Sequence, residues 1–170
     1  MAGLNRDGSE IMNGGDFADL LGEDAIFPAM TVSDKPGLLA GLVAHAAPLA
    51  GLQASLILEQ VRQREALGST GFGQGVAIPH ARIAGLPALT LVMARLVQPI
   101  DYDALDGEPV DLVVLLLSPE AGGADHLKCL ARISRALRNR DILSALRSAP
   151  DASAMHAAIG RPAMAPTRAA

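Results

Sequence analysis

The chain has 170 residues, half of them apolar, a formal net charge of -4 and a pI near 5.5. That length suits one domain with its own core, and the acidic balance weighs against nucleic acid as the main partner, because phosphate backbones select basic surfaces. The lone Cys129 has no partner for a disulfide and no Cys or His at zinc-ligand spacing, so no metal site is expected.

Residues 1–15 are rich in Gly, Asn and Asp without periodicity, and 161–170 form a Pro/Ala/Arg tail. Both ends are expected to be loosely ordered around a domain over 16–160. No secretory leader is evident, and the longest aliphatic runs fall far short of the ~20 residues that cross a bilayer, so a cytoplasmic chain without membrane insertion is expected.

Residues 25–32 predict a short strand interrupted by Pro28. Ser33 and Asp34 then offer an N-cap for a helix that reaches about Leu49, with Leu38, Leu39, Leu42, Val43 and Ala46 at helical spacing. A second helix is predicted over 52–67, carrying Ile57, Val61 and Arg64 on one face and ending at Gly68. Strands follow at 76–78, 88–96 and 110–117, the last aliphatic enough to be buried on both faces; these three are expected to form the sheet interior. An amphipathic helix over 124–139 sets Leu127, Leu130, Ile133 and Leu137 against Lys128, Arg132 and Arg135. Its basic side reads as a solvated face that could also dock an acidic partner. Short helices are predicted over 142–147 and 152–159. The pattern implies a single-domain α/β sandwich, with helices covering both faces of a mixed, mostly parallel β-sheet.

The stretch from Arg64 to Arg82 is the informative one. Glycines at 68, 71, 73 and 75 permit unusual backbone conformations and leave amides uncovered, which suits an anion. They follow a helix rather than a strand, and no phosphate-loop sequence occurs, so neither a dinucleotide nor a nucleoside triphosphate is expected. His80 follows Pro79, whose fixed φ predicts an imidazole held at a strand end on constrained backbone. A histidine with a pKa near ~6.5 is largely neutral in the cytoplasm, and its unprotonated nitrogen can attack phosphorus. Ser69 and Thr70 either orient His80 or only stop the preceding helix, and Glu65 either holds Arg64 or is solvated. His45 and His156 carry no motif, Cys129 reads as a small buried residue, and Asp101, Asp103 and Asp106 read as turn residues.

Arg64-Glu65-x-Leu67-Gly68-Ser69-Thr70-Gly71-x-Gly73-x-Gly75-x-Ala77-Ile78-Pro79-His80 resembles, nearly residue for residue, the active-site signature of the fructose/mannitol/nitrogen-type IIA family of the bacterial phosphotransferase system. Pro99 to Ala104, Pro109 to Val113 and Asp125-His126-Leu127 continue the likeness in the same order, over about 16–159. Phe72, Gln74 and Ala81 depart from the usual residues without removing a group that phosphoryl transfer needs. The resemblance implies a phosphocarrier without metal or organic cofactor, charged by an HPr-like histidine phosphocarrier. His80 matches the phosphorylated histidine, Arg64 an arginine that neutralises phosphate charge, and His126 a second histidine of the site. Supporting or phosphate-binding places fall to Glu65, Ser69, Thr70, Gly71, Gly73 and Gly75. A free-standing chain with this wording points to the nitrogen-related branch, whose output is regulation of partners such as transporters or kinases. A sugar-specific component that passes phosphate to a IIB domain is the alternative, and a binding module that has lost turnover a third.

Overall fold

The computed structural model describes residues 17–160, so the readings of 1–15 and 161–170 as tails lie outside the described residues. Two short 3-10 turns precede β1 (Ile26–Met30); α1 (Lys35–Ala50) and α2 (Ala54–Ala66) follow. Next come β2 (Gly71–Gly73), β3 (Val76–Ala77), β4 (His80–Ile83), β5 (Thr90–Ile100) and β6 (Val110–Pro119). The last described elements are α3 (Gly123–Leu137), α4 (Arg140–Ser148) and α5 (Ala152–Ile159). Local chemistry sets several boundaries. The Asp34 carboxylate accepts from the Gly37 amide at 2.8 Å to start α1, and Gly51, in the left-handed region at φ 67°, ends it. Asn139 and Asp151 cap α4 and α5 in the same way.

The sheet runs β1-β5-β6-β3-β2, with β4 also paired to β6. β1 lies parallel to β5, and β3 and β4 lie parallel to β6, whereas β5–β6 and β2–β3 are antiparallel. Alternation along β6 divides the core. Val113, Leu115 and Leu117 pack with α1 and α2, while Leu112, Val114 and Leu116 pack with α3, α4 and α5. Both faces are thus covered, as the pattern of elements predicts, and the strands over 76–78, 88–96 and 110–117 correspond to the inner β3, β5 and β6.

Two strands depart from the sequence reading. Gly71–Gly73 reads as backbone with uncovered amides, yet it pairs with β3 around Gln74 and Gly75, whose φ values of 58° and 79° suit a tight hairpin. His80 does not end a strand; it begins β4. Val76 pairs with Leu112 and His80 with Leu116 along the same side of β6, so β3 and β4 form one course broken at Ile78-Pro79. Proline lacks the amide that would continue the ladder there.

Arg95 ties the layers together from within β5. Its guanidinium donates to the carbonyls of Pro28 (2.9 Å), Leu146 (2.8 Å) and Ala149 (2.7 Å), which ties the end of α4 to β5 and its neighbour β1. Arg95→Met keeps the aliphatic stem but strips three carbonyls of a charged donor. Chemical denaturation should show a loss of about 3 kcal/mol in unfolding free energy.

Candidate functional site

His80 opens β4 at the edge of the sheet, half-buried. Its Nδ1 lies 2.8 Å from the Ile78 carbonyl oxygen, which can only accept, so Nδ1 carries the proton and donates. Nε2 therefore keeps its lone pair, toward which Arg64 Nε donates at 3.3 Å. Arg64 comes from the last turn of α2, as the Ile57/Val61 stripe predicts, and its Nη1 is latched to the Gly68 carbonyl at 3.1 Å. His126 arrives from the opposite face of the sheet, in the first turn of α3. It is buried, its ring lies 5.4 Å from that of His80 between centroids, and its Nδ1 is hydrogen-bonded to Ser118. Together with Arg82, Glu120 and the apolar Leu67, Leu127 and Leu130, these groups line an open cavity of about 830 Å³.

Burial pushes the His80 imidazole below the ordinary histidine range, and the Arg64 charge adds to that against the upward pull of the Ile78 carbonyl. His126 is lowered too, chiefly by burial and then by His80 and Arg82. Two neutral rings beside two guanidinium groups form a cavity suited to an incoming anion, with a free ring nitrogen available as nucleophile.

Glu65 is neither solvated nor paired with Arg64. It is buried, accepting from the Thr70 amide (2.9 Å) and hydroxyl (2.7 Å) and from Lys35 Nζ (2.9 Å). Burial alone would raise its carboxyl, but Lys35 and the Thr70 donors outweigh that and hold it below the usual range. Thr70 also meets the Tyr102 hydroxyl at 3.0 Å, and its carbonyl accepts from the Ile78 amide. Ser69 donates to the Tyr102 carbonyl rather than reaching His80. Gly71, Gly73 and Gly75 do not line the cavity; a Cβ there would meet Ala104, Asp106 or the Arg147 and Asp111 side chains instead. Gly71 and Gly73 belong to the β2–β3 hairpin, and the Gly71 amide donates to the Ser69 hydroxyl at 3.2 Å.

Sequence reasoning missed Lys35, Tyr102, Arg82 and Ser118. Only the last two left a signal: Arg82 follows His80 at the two-residue spacing of one strand face, and Ser118 is a hydroxyl closing an aliphatic run. Cys129 is buried, and burial pushes its thiol up to about 11. Among the described residues no group of three or more His, Cys, Asp or Glu is placed to hold a metal, and no helix is long and apolar enough to cross a membrane.

The helix-covered mixed sheet is shared with solved structures. Residues 19–161 match the family described as phosphoenolpyruvate-dependent sugar phosphotransferase system, EIIA 2, and the chain belongs to that family. Within it, the chain is 48% identical over 146 residues to the nitrogen regulatory protein of Bradyrhizobium diazoefficiens, covering 86% of this chain and 95% of that one. The nitrogen regulatory protein IIA-Ntr of Neisseria meningitidis superposes with a TM-score of 0.80 at 33% identity, covering 84% of this chain and 97% of that one. The mannitol enzyme IIA of Escherichia coli, solved in complex with phosphorylated enzyme IIB, shares the fold with a TM-score of 0.71 at 14% identity, over 83% of this chain and 98% of that one.

A pH titration followed by NMR should find His80 and His126 both protonating below about 6.5. Because their folded pKa values lie below the unfolded one, their contribution to stability is present above about 6.5 and lost as the pH falls through the folded values. Protonation of either ring at or above that pH would contradict the geometry. Lys35→Met leaves the Glu65 carboxylate buried beside Thr70 alone and should cost at least about 2 kcal/mol in a denaturant melt. The Glu65 contribution itself is present above the ordinary carboxylate range near ~4.3 and disappears as the pH falls through its lowered folded value.

Proposed function

We propose that the chain is a histidine phosphocarrier of the nitrogen-related phosphotransferase system, charged at His80 by a phosphorylated HPr-like protein. The observation that carries this reading is the Nδ1 to Ile78 hydrogen bond, which leaves Nε2 unprotonated inside a cavity flanked by Arg64 and Arg82. The Nε2 lone pair attacks the donor's phosphorus, the nitrogen–phosphorus bond on the donor breaks, and the donor imidazole leaves. Arg64 neutralises the charge spread over the phosphoryl oxygens during the transfer, and again when the group departs. His126 stands on the far side of the cavity as a further hydrogen-bond donor.

Charging adds about two negative charges to a cavity rimmed by the exposed Leu67 and Leu127. A partner that docks on those leucines then meets a different electrostatic surface in each state. This supports an output exerted on regulatory targets such as transporters or kinases. The match to a nitrogen regulatory protein over nearly the whole of its length supports that branch over the sugar-specific one.

Incubation with phosphoenolpyruvate, enzyme I and the HPr-like carrier, followed by mass spectrometry, tests the reading. One acid-labile phosphate should appear, vanish in His80→Ala and form about 100-fold more slowly in Arg64→Met. Absence of any gain in wild type would refute it, and onward transfer to a IIB domain would move the reading to the sugar branch.

A further inference from the structure

Ser118 closes the buried course of β6, fully enclosed, on the face that looks toward α3. Its hydroxyl reaches Nδ1 of His126, and among the described residues that nitrogen is its one hydrogen-bond partner. A buried hydroxyl that does not spend its proton carries a full desolvation penalty. If Nδ1 of His126 bore the proton, it would donate to Ser118 and leave the serine proton with nowhere to go. The satisfied arrangement is the reverse: Ser118 donates, and Nδ1 accepts.

We propose that Ser118 is a positioning residue. By occupying the Nδ1 lone pair it holds the single proton of neutral His126 on Nε2, where the ring can donate to a phosphoryl oxygen on His80, a role that rests on the phosphocarrier reading above. The two imidazoles then carry opposite assignments. His80 has its proton on Nδ1, held by a backbone carbonyl, and offers Nε2 as a bare nucleophile. His126 has Nδ1 filled by a hydroxyl and offers Nε2 as a donor. With ring centroids 5.4 Å apart, a group attached to one ring is within reach of the other. Had both rings shared one assignment, the cavity would present either two bare nitrogens and no imidazole donor, or two donors and no nucleophile. Ser118 is thus what makes the pair complementary, although it never touches the phosphoryl group.

The test begins on uncharged wild-type protein at neutral pH, with long-range nitrogen–proton NMR correlations of the imidazole rings. His126 should show the Nε2-protonated tautomer. Ser118→Ala should lose that preference and shorten the lifetime of the phosphorylated protein roughly tenfold, and Ser118→Thr, which restores a hydroxyl, should recover both. An Nδ1-protonated His126 in wild type overturns the assignment without recourse to any variant, and so does a Ser118→Ala protein whose tautomer and phosphate lifetime are unchanged. Wild type that never charges instead overturns the phosphocarrier reading, and the donation to phosphate with it, while the tautomer spectrum still reports on Ser118.

Discussion

The hydrogen bond from His80 Nδ1 to the Ile78 carbonyl is the constraint on which the site depends. It fixes the ring's orientation and its proton at once, at the break that Pro79 makes between β3 and β4. The Ile78 peptide is held in turn by a relay. Its amide donates to the Thr70 carbonyl, Thr70 is gripped twice by Glu65, and Glu65 is held by Lys35 at the start of α1. A buried carboxylate next to Arg64 is thus linked, through Thr70, to the residue whose carbonyl holds the His80 ring.

The edge of the sheet is where two layers can meet around one residue. α2 packs on one face and carries Arg64 in its last turn; α3 packs on the other and carries His126 in its first turn; β4, at the edge, places His80 between them. Both rings are held below the ordinary histidine range beside charged guanidinium groups, so the cavity carries a field that favours an anion.

How much of this the sequence disclosed follows the range of the interactions. The amphipathic pattern of α3 and the inward stripe of Ile57, Val61 and Arg64 are local, and they place α3 and Arg64 as observed. The glycine run was legible as special backbone but not as a particular one, because a hairpin and an anion cradle share a composition. What decides for the hairpin is the close packing of Gly71 against Ala104 and Tyr102, from a distant loop. β4 was hidden by the proline ahead of it and by a sequence, His-Ala-Arg-Ile, with little strand preference. Glu65 was misjudged because its partner Lys35 sits one helix away, and nothing near either residue announces the other.

The central claim is that the backbone chooses the reacting nitrogen. The direct measurement is long-range phosphorus–nitrogen and proton–nitrogen NMR on the charged, nitrogen-labelled protein, which identifies the ring nitrogen bonded to phosphorus. Phosphate on Nε2 of His80, with Nδ1 still protonated, is the predicted result. Phosphate on Nδ1 would mean that the Ile78 hydrogen bond breaks before transfer, and the account of the site would fall with it.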